Sequence, residues 1–134
     1  MQVQPYLFFN GRCEEALEFY RGAVGAEVTM LTRFKDGPEP NMAPPEAGDK
    51  VMHASFRVGE TTILASDGMG HGQPKFEGFS LSLVVRDLAE DERRFAALSN
   101  GGQVQQPIIK TFFSPGFGML TDRFGVSWML VVMA

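Results

Sequence analysis

An imperfect internal repeat constrains this chain more than any other feature. Residues 7–28, LFFNGRCEEALEFYRGAVGAEV, return as residues 83–104, LVVRDLAEDERRFAALSNGGQV. At a shift of 76, Leu7 meets Leu83, Phe8 meets Val84, Phe9 meets Val85, Phe19 meets Phe95 and Val28 meets Val104. A chain that repeats a pattern of this length folds the same supersecondary unit twice. Each copy reads as an apolar run, a polar turn, an amphipathic stretch opened by acids, a glycine stop and a second apolar run. Ala16, Leu17, Tyr20 and Val24 recur at helical spacing, and Gly25 suits the position just past a helix end. Leu88, Phe95 and Leu98 repeat the stripe more sparsely before Asn100-Gly101-Gly102. Glu14 and Glu15, then Glu90 and Asp91, fall in the first turns, where negative charge suits the helix dipole.

Residues 51–67, VMHASFRVGETTILASD, lie over residues 117–133, FGMLTDRFGVSWMLVVM, at a shift of 66. Arg57 meets Arg123, Gly59 meets Gly125 and Leu64 meets Leu130. Both stretches read as strand, tight glycine turn, strand. The shift falls by ten because the first copy carries a longer connection at residues 35–50, whose four prolines and two glycines mark a surface loop. The chain is therefore read as two βαβββ modules, about 1–68 and 79–134, joined by a glycine-rich linker at 69–78. A module of about 65 residues buries little surface alone. The two are expected to form one α+β domain of eight strands in curved sheets, with a helix on each half.

Composition narrows the class. The chain has 134 residues, 44% apolar and 21% charged, which is ordinary for a globular protein. Its net charge of −4, with no basic stripe, argues against nucleic acid as a partner. No apolar run reaches the roughly 20 residues needed to cross a bilayer. The opening MQVQPYLFFNGR has neither the basic nor the long apolar part of a signal peptide, so a cytoplasmic location is expected. A single cysteine, Cys13, excludes an intrachain disulfide. It opens a helix, where the dipole lowers a thiol pKa, but no partner base is evident.

The paired βαβββ pattern resembles the vicinal oxygen chelate superfamily, which includes glyoxalase I, extradiol dioxygenases, fosfomycin-resistance enzymes and bleomycin-binding proteins. NGRCEEALEFYRGAVGAEV is similar to that superfamily's opening helix. Ala16–Tyr20 before Gly25-Ala26, the His53-Ala54 strand, Ser66-Asp67 and TDRFGVSWML at 121–130 resemble its PhnB-like group, also described as 3-demethylubiquinone methyltransferase-like. No G-x-G-x-x-G turn is present to hold a nucleotide-like cofactor. The resemblance implies, in metal-dependent members, four ligands to a divalent ion, two from each half. The matching positions fall near Pro5, Ile63, Leu81 and Met129. A hard divalent ion takes oxygen or imidazole donors, which these residues lack. Their neighbours Tyr6, Leu64, Ser82 and Leu130 do not make a ligand set either. No metal and no cofactor are therefore expected, with His53, His71 and Asp67 as a metal site unsupported by any motif.

Alternation along residues 51–58 puts Met52, Ala54, Phe56 and Val58 on one face and His53, Ser55 and Arg57 on the other. Met119, Thr121 and Arg123 repeat the second face, and Asp67 shares a face with Ile63. His53, Ser55, Arg57, Asp67, Thr121 and Arg123 thus form a candidate polar lining. His53 is a candidate acid or base, since unperturbed imidazole titrates near neutrality; a half-buried structural histidine is the alternative. Arg57 and Arg123 are read either as anion binders or as ion-pair partners of Asp67 or Asp122. Ser66-Asp67 also suits a simple turn. In residues 111–119, TFFSPGFGM, the broken pattern leaves Phe112, Phe113, Phe117 and Met119 as candidate walls of an apolar pocket. The expected function is binding of a small apolar or amphiphilic molecule in a concave groove without the superfamily metal, by a homodimer. A metal-dependent or His53-assisted enzyme of the superfamily and a non-catalytic dimeric interaction module remain the alternatives.

Overall fold

The computed structural model describes residues 1–37, 47–68 and 74–134. His71 and the middle of the proline-rich loop lie outside the described residues. The chain divides into two compact units, Met1–Pro74 and Lys75–Ala134, and the division falls inside the glycine-rich stretch.

The first unit runs β1 (Tyr6–Phe8), α1 (Cys13–Val24), β2 (Glu27–Arg33), a single 3-10 turn at Phe34–Asp36, β3 (Val51–Val58) and β4 (Thr61–Ser66). Its sheet has the order β1-β4-β3-β2, with β1 parallel to β4 and the other pairs antiparallel. The second unit repeats this with β5 (Leu81–Val85), α2 (Leu88–Ser99), β6 (Gln103–Ile109), β7 (Phe117–Thr121) and β8 (Ser127–Val132), in the order β5-β8-β7-β6. The eight-strand α+β expectation therefore holds, as two separate mixed sheets. Register shifts occur along the edge strands β2 and β6, and such bulges bend and twist a sheet. Pro107 sits on the edge strand β6, where its missing N–H costs no ladder bond.

Each helix forms because one stripe is apolar and a sheet face is there to receive it. In α1, Cys13, Ala16, Leu17, Tyr20, Ala23 and Val24 are buried. Tyr20 stacks on Phe56, with ring centroids 5.9 Å apart and planes 19° apart. Leu7, Ala54, Phe56, Ile63 and Ala65 form the sheet side of that core. Full burial of a ring such as that of Phe56 contributes about 2–3 kcal/mol. The helix stops at Gly25, whose φ of 67° is the left-handed conformation that glycine adopts most cheaply. In α2, Phe95 and Leu98 meet Leu120, Trp128, Leu130 and Val132 of the second sheet. Phe95 lies so close over Gly118 that a Cβ there would stand 2.6 Å from its ring.

The repeat is right in element order and wrong in register. The ring that meets the sheet in α1 is Tyr20, and its counterpart in α2 is Phe95, one residue off the sequence alignment; Phe19 is only half-buried. Leu64 and Leu130, aligned in sequence, lie on opposite kinds of face: Leu130 is fully buried and Leu64 is not. The second hairpin explains the slip between Leu64 and Leu130. β3 and β4 turn over Gly59-Glu60, with Val58 paired to Thr61. β7 and β8 turn over residues 122–126, with Thr121 paired to Ser127. The expected pair of tight turns is thus one tight and one wide. A shift of one residue moves every side chain to the other face.

Candidate functional site

In each sheet one face carries the helix and the other is open. On the first sheet the register aligns Tyr6 with Leu64 and Ser55, and Phe8 with Ser66. His53 sits two residues from Ser55 on the same face of β3. The expected alternation in β3 is thus present: Ala54 and Phe56 are buried under the helix, while His53, Ser55 and Arg57 are not.

Each expected polar residue of this unit has a definite partner. Tyr6 Oη lies 2.9 Å from His53 Nδ1. Ser55 Oγ lies 2.6 Å from Thr29 Oγ1, so the two hydroxyls satisfy each other. Arg57 Nη2 donates to Glu27 Oε2 at 2.9 Å, both side chains being well exposed. The ion-pair partner is therefore Glu27, across the β2–β3 ladder, and not Asp67 or Asp122.

Asp67 lies away from the open face of β3, at the floor of a separate polar hollow. It does share the side of Ile63, but that side is the buried one. Its Oδ1 accepts from Gly11 N (2.7 Å) and Cys13 N (2.9 Å), and its Oδ2 accepts from Val51 N (2.8 Å). Arg12, at the start of α1, makes no side-chain cap. Asp67 supplies that cap from the end of β4, which ties helix, loop and sheet at one point. Cys13 beside it is fully buried. Burial, then the charges of Asp67 and Glu14, push its thiol up to about 12, so the expected dipole effect is overruled. Around Asp67, a polar hollow of about 460 Å³ is lined by Glu14, Arg33, Asp49, Lys50 and Asp67 itself. Its charges are spent internally: Arg33 binds Glu14 through both Nη atoms at 2.7 and 3.1 Å. Its guanidinium holds the Glu14 carboxyl below its ordinary value, mainly through those hydrogen bonds.

The second sheet presents Phe117, Met119 and Thr121 of β7 together with Ser127, Met129 and Val131 of β8 on its open face. An open pocket of about 570 Å³ lies there, with Phe76, Phe79, Met119 and Met129 as its apolar lining. Its rim is polar. Gln105 Nε2 donates to Thr121 Oγ1 at 2.7 Å, and Ser80 Oγ lies 2.6 Å from Ser127 Oγ. Met119 and Thr121 were expected at such a site. Its rings, however, come from Phe76 and Phe79, which the sequence hid in linker-like surroundings before β5. Phe112, Phe113 and Phe117 instead form an edge-to-face chain with centroids 5.2 and 5.3 Å apart, and Phe112 is fully exposed. Arg123 lies in the wide turn outside β7, and its Nε donates to Asn100 O at 3.1 Å. Asp122 holds that turn by accepting from Phe124 N, Val126 N and Trp128 Nε1.

The register also re-aims the four positions implied for a metal. Pro5 precedes β1, and Ile63 and Leu81 pair with Phe56 and Trp128 on helix-covered faces. The open-face residues beside them are Tyr6, Leu64 and Ser82, joined by Met129. Among the described residues no three His, Cys, Asp or Glu side chains come together to hold a metal ion.

The profile of 3-demethylubiquinone-9 3-methyltransferase matches residues 1–131. The chain belongs to that family. Protein YjdN of Escherichia coli (strain K12) is 33% identical over 143 residues, covering 99% of this chain and 96% of that protein. Among solved structures, protein PA1353 from Pseudomonas aeruginosa is 42% identical with a TM-score of 0.88, covering 99% of this chain and 98% of that one. The PhnB protein from Bacillus cereus is 26% identical with a TM-score of 0.82, covering 98% and 99%. A glyoxylase/bleomycin resistance protein/dioxygenase domain from Frankia sp. EAN1pec shares the fold at 13% identity and a TM-score of 0.68, over 100% and 93% of the two chains. This member of the 3-demethylubiquinone-9 3-methyltransferase family is thus a PhnB-like protein on the vicinal oxygen chelate fold.

Proposed function

We propose that this chain is a binding protein for a small apolar or amphiphilic molecule, held without the superfamily's metal. The pocket on the open face of the second sheet carries the reading. Two methionines and two phenylalanines line it, two hydrogen-bonded polar pairs rim it, and its volume is that of a small-ligand site. Flexible methionine side chains adapt to ligands of varied shape. The donor set at the implied metal positions is a phenol, an aliphatic chain, a hydroxyl and a thioether, which does not fit a hard divalent ion. The connections leading into α1 and α2 carry no G-x-G-x-x-G turn, so the reading departs from the methyl transfer in the family's description. Exposed Phe112 and Val84 favour a homodimer, which sedimentation would test.

The test uses 1-anilinonaphthalene-8-sulfonate as probe. Its fluorescence should rise saturably with the protein, and Met129→Lys should weaken binding at least about tenfold. Phe112→Ser should leave it unchanged. Equal binding by Met129→Lys sinks the pocket. Elemental analysis of untagged protein provides the second arm. One equivalent of a divalent ion that also raises Tm would put the metal-dependent enzyme in front.

A further inference from the structure

On the first unit, Tyr6 and Phe8 project from the same side of the three-residue strand β1, with ring centroids 4.9 Å apart and planes 31° apart. The His53 ring continues the row, 5.5 Å from Tyr6 and tilted by 36°. Tyr6 is 37% exposed and Phe8 52%, so two aromatic surfaces stand side by side in water on an open sheet face. Such a row suits a flat ring, which stacks or tilts against its neighbours at 4.5–7 Å.

The hydrogen bonding selects what that ring must carry. In the tautomer in which the phenol hydroxyl donates to Nδ1 across the 2.9 Å contact, the ring proton sits on Nε2. That N–H has no partner among the described residues. The nearby hydroxyls of Ser55 and Thr29 satisfy each other, and Arg57 is spent on Glu27. In that tautomer the face offers, among the described residues, one donor and no free cation, which suits a single acceptor oxygen and disfavours a phosphate.

We infer that the Phe8–Tyr6–His53 row binds a planar aryl molecule bearing an acceptor oxygen, its ring against the aromatic row and its oxygen on His53 Nε2. The inference rests on the reading of the open sheet faces as ligand surfaces, but on residues separate from the pocket of the second unit. Tyr6 acts as a positioning residue for the imidazole as well as a contact for the ring.

The chain has two histidines, so a His71→Gln background leaves His53 as the one imidazole signal. In protein labelled with carbon-13 histidine at pH 8, 4-nitrophenolate should move the His53 ring resonances saturably. Tyr6→Phe keeps the ring and frees the imidazole, and should weaken binding about fivefold, the effect of one hydrogen bond. Tyr6→Ala should abolish it, and cyclohexanone, with an acceptor but no aryl ring, should cause no saturable change. Unmoved resonances, or equal movement in Tyr6→Ala, overturns the inference. If anilinonaphthalene sulfonate binding remains sensitive to Met129→Lys in that case, the pocket of the second unit stands without it. A His53 signal that moves as expected, beside probe binding that ignores Met129→Lys, keeps the aromatic row and removes the pocket.

Discussion

Replacing Asp91 by alanine should make the protein more stable at neutral pH and less so in acid. Asp91 lies on the sheet-facing side of α2, at the place that Ala16 holds in α1, and is fully buried. Neither carboxylate oxygen has a hydrogen-bond partner among the described residues. Its surroundings are apolar: a Cβ built on Gly116 would lie 2.8 Å from Asp91 Oδ2, 2.8 Å from Leu88 Cδ1 and 3.0 Å from Val132 Cγ2. Burial first, and the charge of Glu92 second, raise its pKa above the ordinary carboxylate value. The folded protein thus holds this proton more tightly than the unfolded chain does. No charging penalty exists below the ordinary carboxylate range. Stability is lost as pH climbs from there through the raised value, and the loss is complete above it. An unsatisfied buried polar group costs about 1–3 kcal/mol, a large share of a net stability of about 5–15 kcal/mol. The small gap left by alanine offsets part of the gain, so about 1–2 kcal/mol should remain at pH 7.5. Urea unfolding is readily followed through Trp128, the single tryptophan and a core residue of the same unit. With a urea slope of about 1–3 kcal/mol per molar, the midpoint should rise by roughly 0.5–1 M. The gain should shrink near pH 3.5, where the carboxyl is uncharged, leaving only the part due to its unpaired polar atoms. Asp91→Asn, which removes the charge and keeps a polar group, should lose the pH dependence and gain less. A destabilised alanine variant at pH 7.5, or a gain that does not vary with pH, would refute the reasoning.

Three further outcomes follow from the geometry. Asp67→Ala orphans the N–H groups of Gly11, Cys13 and Val51; at about 1–3 kcal/mol each, with partial rescue by water, it should cost about 3–6 kcal/mol in chemical denaturation. A loss under about 1 kcal/mol would show that those groups find other partners. Gly102→Ala should destabilise by more than about 2 kcal/mol, because its Cβ would collide with the Thr121 carbonyl; thermal unfolding at near wild-type Tm would contradict the packing. Cys13, buried and with its thiol raised to about 12, should not react with Ellman's reagent in native protein at pH 8 and should react fully in urea. Rapid native reaction would mean that the helix start opens readily.

The repeat made the architecture legible because it records local physics. The apolar stripe in residues 16–24, the stop at Gly25 and the alternation in residues 51–58 each follow from a few adjacent side chains. Those parts stood in the structure as the sequence implied. His53 and Ser55 were likewise placed together by the period of a strand. The resemblance to the vicinal oxygen chelate superfamily was also legible, since its motifs are local.

The expectations that failed are those decided by long-range pairing. Ile63 lies one residue from the open face, because the wide turn at 122–126 breaks the register that Gly59 and Gly125 suggest, and Leu81 lies on the covered side of β5 opposite Trp128. That Asp67 is also a clamp was hidden, since its three donors come from residues 11, 13 and 51. Arg57 chose Glu27 because the β2–β3 ladder sets them opposite each other. Cys13, the first residue of α1, loses its activation to burial on the helix's inward stripe. Composition and periodicity determined two βαβββ units and their helices, because those signals are short-range and additive. Only tertiary pairing decided the acceptors for each donor, the rings that line the pocket and the partner of His53. Those choices join residues tens of positions apart, and a single residue of strand register reverses them.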